Sequence, residues 1–307
     1  MTPIAPRVFA TALVAGTFAL GLAACGSSNS NSSSSSGGST QSSGSSSSGS
    51  GANAAIAAKV PSAVKSKGTL TVAADATYAP NEFIGSDGKT VEGMDADLAK
   101  ALAGVMGLKA SVTNATFDSI IPGLASNKYD LGMSSFTDTK EREKTVDFVT
   151  YFSAGTSFYT KAQGGPTVNS LADLCGKTVA VEKGTTQQTD AEGQSKKCKG
   201  SKVTVLTFPD QNGANLALSS GRAQVGMADS PVADYQVKKS SGQFKLVGQP
   251  YGTAPYGIAI PKGNGMAPVV KSALEDLIKN GTYTKILTKW GIQSGAITTP
   301  AINGATS

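Results

Sequence analysis

Thr69-Leu70-Thr71-Val72-Ala73-Ala74-Asp75 is the run that sets the fold. Thr69 to Ala73 reads as a short strand of β-branched and apolar residues, and the strand runs out into an acid, Asp75. A Gly-Ser-Asp-Gly turn, Gly85 to Gly88, interrupts the next extended region. Beyond it Met94, Leu98, Leu102 and Val105 fall on one face of a helix. Asp95 and Asp97 sit in the first turn of that helix, where negative charge complements the macrodipole, and Gly107 closes it. That assignment is sufficient for both acids, and neither is expected to hold a ligand.

Outward from this strand and helix the alternation continues. Strands are expected at Ala110 to Thr113, Leu131 to Met133, Ser157 to Tyr159, Thr178 to Val181, Val203 to Thr207, Val225 to Ala228 and Tyr256 to Ile260. Helices are expected near Phe117 to Ser126, Thr186 to Gln194, Gly213 to Ser220, Pro231 to Lys238, Ala267 to Asn280 and Thr282 to Lys289. Short strands alternating with helices indicate α/β units around mostly parallel sheets. In such sheets ligands bind beyond the carboxyl ends of the strands. Asp75 and Tyr78 follow the first strand, and Ser134-Ser135-Phe136-Thr137 follows Leu131 to Met133 with Arg142 shortly after. Lys183-Gly184-Thr185-Thr186-Gln187 follows Val181, and Asp229 follows Ala228. Two acids, an arginine and a set of hydroxyls complement a zwitterion.

Each piece also has an ordinary structural explanation. Arg142 lies in Lys140-Glu141-Arg142-Glu143-Lys144, and a mixed charge run is usually a solvated face. Asp229 before Ser230-Pro231 fits a helix cap, Gly184-Thr185-Thr186 fits a turn with a Thr cap, and Tyr78 before Pro80 fits a packed turn aromatic.

In their order, these segments resemble a known family. Asp75-Ala76-Thr77-Tyr78-Ala79-Pro80, Gly93-Met94-Asp95-Ala96-Asp97-Leu98-Ala99 and Phe117-Asp118-Ser119-Ile120-Ile121-Pro122-Gly123-Leu124 are similar to the first lobe of bacterial extracellular solute-binding proteins of family 3. Those are the polar amino acid binders of ABC importers. The likeness runs on through Asp130 to Ser135, Thr139 to Arg142, Gly184 to Gln187, Asp229 and Gly281-Thr282-Tyr283. It implies an α/β, two-lobe, periplasmic-binding-protein-like (type II) fold with the ligand cleft between lobes. One lobe is then 68–154 plus 256–290 and the other 155–255, with a flexible tail at 291–307. The resemblance gives Arg142 to the ligand α-carboxylate and Asp229 to its α-ammonium. Ser134, Ser135, Thr137, Thr185, Thr186 and Gln187 surround those groups, while Asp75, Tyr78 and Phe117 shape the side-chain end. Asn81 departs from the family pattern, which often has an aromatic after that proline, and lies close to the implied pocket. A polar L-amino acid is the implied ligand, with Arg, Lys, His or Gln ahead of Glu and Asp. A membrane permease is the implied partner of a monomeric, non-enzymatic receptor that needs no cofactor and no metal. The rival is a dehydratase-like enzyme of the same fold acting on a small carboxylic acid, or a sensory subunit presenting ligand to a receptor.

The ends and the counts bound these expectations. Arg7 and the apolar stretch Val8 to Leu20 form a signal peptide over 1–24, ending in Leu22-Ala23-Ala24-Cys25, the pattern of a lipobox. Cys25 is the expected lipidated residue, which places the chain outside the cytoplasm on the outer face of the cell membrane. Ser, Gly and Asn dominate 25–53, a composition with nothing to bury, so this is a disordered tether of roughly 25–30 Å reach. It resembles that of actinobacterial lipoprotein members of the family. The 27 basic and 21 acidic residues give +6, interleaved without a basic stripe, which argues against nucleic acid. There is no histidine, which removes Ser-His-Asp and Cys-His catalysis and imidazole metal sites. Cys175 and Cys198 remain after the lipobox; export favours a disulfide between them over two free thiols. Metabolic labelling with a fatty acid is expected to mark the wild-type protein and not Cys25→Ala; equal labelling of both removes the anchor.

Overall fold

Leu70, Val72, Ala73 and Ala74 are all buried, so the first strand has no solvent face and must run inside a sheet. The computed structural model, which describes residues 51–306, places it there. In chain order the strands are β1 (Thr69–Ala74), β2 (Thr77–Tyr78), β3 (Glu82–Ile84), β4 (Val91–Glu92), β5 (Lys109–Asn114) and β6 (Leu131–Gly132). They continue with β7 (Val146–Lys161), β8 (Thr178–Glu182), β9 (Thr204–Phe208), β10 (Val225–Asp229) and β11 (Phe244–Pro261). Eight of them form one sheet in the order β5-β1-β6-β11-β7-β10-β8-β9, and β2, β3 and β4 form a small antiparallel sheet.

The large sheet has two similar halves. β5 and β6 pair parallel with β1 in the first, and β9 and β10 pair parallel with β8 in the second. Long antiparallel β7 and β11 run through both halves, and Ala154 faces Ala254 where they pass from one to the other. The pairing of β11 slips between Val247 and Tyr251, again before Ala254, and again between Tyr256 and Gly257. Bulges of this kind bend a strand and break its ladder, which suits a connection between lobes.

Each half has its own core. Leu70, Val72, Leu98, Leu102, Ile258, Leu274 and Leu277 pack in the first, under the helices Met94–Val105 and Ala267–Lys279. Phe158, Leu174, Val179, Val181, Val225 and Met227 pack in the second. A third cluster joins Phe117, Phe136 and Phe148 from the first half to Leu218, Ala228 and Val232 from the second, so the lobes are closed on each other. A disulfide links Cys175 to Cys198 with Cα atoms 5.8 Å apart, fastening the end of helix Thr186–Lys197 to the turn before β8. By loop closure a link of this span stabilises by about 3 kcal/mol.

Three features differ from the sequence expectation. β7 and β11 are far longer than Ser157 to Tyr159 and Tyr256 to Ile260. β7 is buried along nearly its whole length and shows no alternation, while Gly248, Pro250, Gly252 and Pro255 break up the pattern of β11. The first core also draws on residues ahead of the expected lobe boundary at 68. Asn53 donates its amide to Asp276 at 3.1 Å, and Ile56, Val60 and Val64 enter the first core. The signal peptide, Cys25 and most of the Ser-rich stretch lie outside the described residues.

The third difference is the C-terminal segment, which is not a loose tail where it is described. β10 pairs with β7 only from Thr156 to Tyr159, leaving the earlier edge of β7 open. Residues 301–305 cover that edge, as an exposed edge requires. The amides of Thr150 and Asn303 donate to Ala301 and Phe148 carbonyls at 2.9 Å each. Gly304 N–H donates to Asp138 Oδ2 at 2.8 Å and Ala305 N–H to a Glu143 oxygen at 3.1 Å. Hydrogen exchange should find the amides of Asn303 and Gly304 protected; exchange at random-coil rates contradicts this strap.

Candidate ligand site

On the first lobe β6 ends at once in Ser134-Ser135-Phe136-Thr137, and Ser135 takes φ +51°, uncommon for a residue with a side chain. A buried polar network holds it there. Ser135 N–H donates to Asp95 Oδ2 at 3.0 Å, its hydroxyl donates to Glu82 Oε2 at 3.2 Å, and it accepts from Asn81 Nδ2 at 2.9 Å. Tyr151 Oη also donates to Asp95 Oδ2, at 2.8 Å. Burial, then the Asp95 charge, push Glu82 well above the carboxylate range, while burial raises Asp95 to about 6 against the hydrogen bonds it accepts from Tyr151 and Ser135. Asp95 therefore does more than start a helix, although neither it nor Asn81 reaches the ligand cavity.

Arg142 turns out of its charge run. Its neighbours pair among themselves, Lys140 with Glu143 and Lys144 with Glu141. Thr139 caps the short helix Lys140–Glu143 by accepting from Arg142 N–H at 3.2 Å. The guanidinium lies over the rings of Phe117 and Phe136, 5.3 and 5.5 Å from their centres. It donates to the Thr137 carbonyl at 2.8 Å and, across the cleft, to the Gly184 carbonyl at 3.0 Å.

On the second lobe Gly184 has φ +81°, and a Cβ there meets Asp118 Cβ at 3.1 Å, so both turn and packing favour glycine. Thr185 caps helix Thr186–Lys197, accepting from Gln188 N–H at 3.2 Å and donating to the Glu182 carbonyl at 2.7 Å. Thr186 and Gln187 in the first turn face the cavity, where the positive end of the helix suits an anion. Asp229 makes no cap bond to helix Ser230–Lys239. Its carboxylate accepts instead from Gln187 Nε2 at 2.7 Å and Tyr256 Oη at 2.8 Å. Burial raises its pKa to about 6 against the pull of Tyr256, Gln187 and Arg142.

Between these walls lies a cavity. It brings together Tyr78, Phe117, Ser135, Thr137, Arg142, Thr185, Thr186, Gln187 and Asp229 from the sequence-predicted set. Asp75 and Ser134 do not line it. Ser134 Oγ accepts from Asp75 N–H at 2.8 Å, and Asp75 accepts from Thr77 Oγ1 at 2.6 Å and Phe117 N–H at 3.0 Å. Both residues thus brace the wall that carries Tyr78 and Phe117, whose rings are 5.9 Å apart. Sequence reasoning missed Gln211, Ala228 and Val232 on the wall, and Tyr256 on Asp229.

The model of the bacterial extracellular solute-binding proteins, family 3, matches residues 70–293. Among curated proteins, the arginine-binding protein ArgT of Corynebacterium glutamicum is 36% identical over 81% of this chain and 82% of its own length. Two solved structures of an ancestral arginine-binding protein, one bound to arginine and one to glutamine, each superpose with a TM-score of 0.69. They are 39% and 38% identical, each covering 73% of this chain and 98% of its own. The match spans both lobes and every wall of the cavity, and the chain belongs to the bacterial extracellular solute-binding proteins, family 3.

Proposed function

We propose that this chain is the substrate-binding subunit of an ABC importer and captures a cationic or amide-bearing L-amino acid, arginine first, between its lobes. The single observation that carries this reading is the pair of opposite charges in one cavity, Arg142 on the first lobe and Asp229 on the second. The guanidinium takes the α-carboxylate as a planar fork, and Thr137, Thr186 and the start of helix Thr186–Lys197 fill the remaining lone pairs. Asp229 takes the α-ammonium, with Tyr256 and Gln187 fixing its carboxylate. Tyr78 and Phe117 flank the ligand side chain and suit a flat guanidinium or amide.

The relatives named above support the amino-acid class, and arginine and glutamine in the ancestral protein support its polar members. A dehydratase reading leaves Asp229 without a partner on a carboxylate-only substrate. Lipid attachment at Cys25 and delivery to a permease complete the proposal: a monomeric receptor tethered to the outer face of the membrane, turning nothing over.

Arg142→Ala and Asp229→Ala should each weaken arginine binding by about 2–5 kcal/mol, since each strands a desolvated charge partner. Calorimetry showing wild-type affinity in either variant removes that residue's role. Asp229 must be ionised to hold an ammonium, so affinity for every amino acid should fall as pH drops below about 6. In a thermal-shift panel arginine should stabilise most; a shift confined to acidic or branched apolar amino acids, or none at all, overturns the ligand class.

A further inference from the structure

The Arg142 guanidinium is anchored on its own lobe by a single peptide. The peptide joining Thr137 to Asp138 offers its carbonyl to Arg142 Nη1 at 2.8 Å and donates its N–H to the Pro255 carbonyl at 2.9 Å. Asp138, the side chain on that peptide, is fully buried. Its one side-chain hydrogen bond among the described residues comes from Gly304 N–H at 2.8 Å, and its Oδ1 is unpartnered. Burial, then the Glu143 charge, raises its pKa to about 6, while Gly304 N–H pulls the other way. On the far side of Arg142, Glu143 ends the short helix Lys140–Glu143. It accepts from Ala305 N–H at 3.1 Å and from Lys140 Nζ at 3.0 Å.

The strap that supplies these two amides is seated on β7. Ile302 pairs with Val149, Ala301 N–H donates to Thr150 Oγ1 at 2.8 Å, and Asn303 Oδ1 accepts from Phe148 N–H at 2.8 Å. Asn303 Nδ2 donates to Asp147 at 3.1 Å. A Cβ on Gly304 would meet Thr150 Cγ2 at 2.9 Å, and Thr150 cannot turn away without losing its bond to Ala301. That close approach requires glycine. None of residues 301–305 lines the ligand cavity.

We infer that the C-terminal strap is a positioning element of the binding site: by holding Asp138 and Glu143 from outside the cavity, it aims the Arg142 guanidinium at the ligand carboxylate. Without Gly304 N–H, Asp138 is a buried carboxyl with no donor, and the uncovered edge of β7 opens a path to water for it. Turning out toward that water shifts the Thr137–Asp138 peptide, and with it the carbonyl on Arg142. Loss of the Ala305 bond releases the other end of the helix that carries Arg142. The effect belongs to the carboxylate pole, because Asp229 is held by Gln187 and Tyr256, neither of which touches the strap. This role rests on the amino-acid reading of the cavity.

Two ligands distinguish it from general support of the lobe. Arginine carries the carboxylate, and argininamide keeps the ammonium and guanidinium but replaces the carboxylate with a neutral amide. A chain ended after Pro300 should bind arginine about tenfold more weakly than wild type in calorimetry, the effect of loosening one hydrogen bond to a charged group. Its affinity for argininamide should change by less than about twofold, as for a distant and independent site. Gly304→Val keeps the full chain, lifts the strap off Thr150, and should lower the arginine-to-argininamide ratio in the same direction; it carries the test if the shortened chain does not fold. Hydrogen exchange at Asn303 reports that the strap is released. A released strap with wild-type arginine affinity overturns the proposal. An equal loss for both ligands also overturns it, since the strap then only supports the lobe. A wild-type protein that binds neither ligand overturns the amino-acid reading itself, and this proposal with it.

Discussion

A guanidinium and a carboxylate face one cavity from opposite lobes, and the surrounding structure holds them apart as two binding poles. Arg142 reaches across the cleft to the Gly184 carbonyl, and Asp229 is held by Gln187 and Tyr256. A charge out of water needs partners, and the partners found here are mostly neutral carbonyls, hydroxyls and amides. They orient the two groups without neutralising them. In the proposed function a zwitterion supplies both missing counter-charges at once, with the lobes closed around it. That couples capture to closure, as expected of a two-lobe clamp.

The supporting structure explains why the poles stay where they are. On the first lobe the Glu82–Asp95 pair, with Asn81 and Tyr151, holds Ser135 in its strained turn. The C-terminal strap reaches Asp138 and Glu143 on either side of Arg142. On the second lobe the disulfide fixes the far end of the helix whose first turn lines the cavity. Among the described residues β7 and β11 are the strands that cross between them, and the pairing of β11 is broken near the crossing. Rigid lobes joined by an irregular two-strand connection place flexibility where closure needs it.

Much of this was legible in the sequence because the site is built at strand ends. Asp229 after Ala228, Gly184-Thr185-Thr186 after β8 and Ser135 after β6 all follow short apolar runs that mark where a buried strand stops. Arg142 was ambiguous: its neighbours make an exposed charge run, and only the packing of Phe117 and Phe136 shows which member turns inward. Asp229 was ambiguous for a different reason, since Ser-Pro after it fits a helix cap that the folded chain does not use. β7 and β11 escaped because a strand buried on both faces has no alternation, and one interrupted by Gly and Pro looks like loop. The strap escaped because Ala301-Ile302-Asn303-Gly304 carries no pattern of its own; it is ordered by the open edge of β7, where Phe148 meets Asn303 from 155 residues away in sequence.

The central claim of the proposed function is one of polarity: the α-groups of the ligand lie between Arg142 and Asp229, and its side chain runs past Tyr78 and Phe117. A crystal structure of the protein grown with arginine tests it most directly. The expected density places the ligand carboxylate on the Arg142 guanidinium, its ammonium on Asp229, and its guanidinium beside the rings of Tyr78 and Phe117. Arginine bound in the reverse sense, with its guanidinium on Asp229, or bound outside this cavity, contradicts the account.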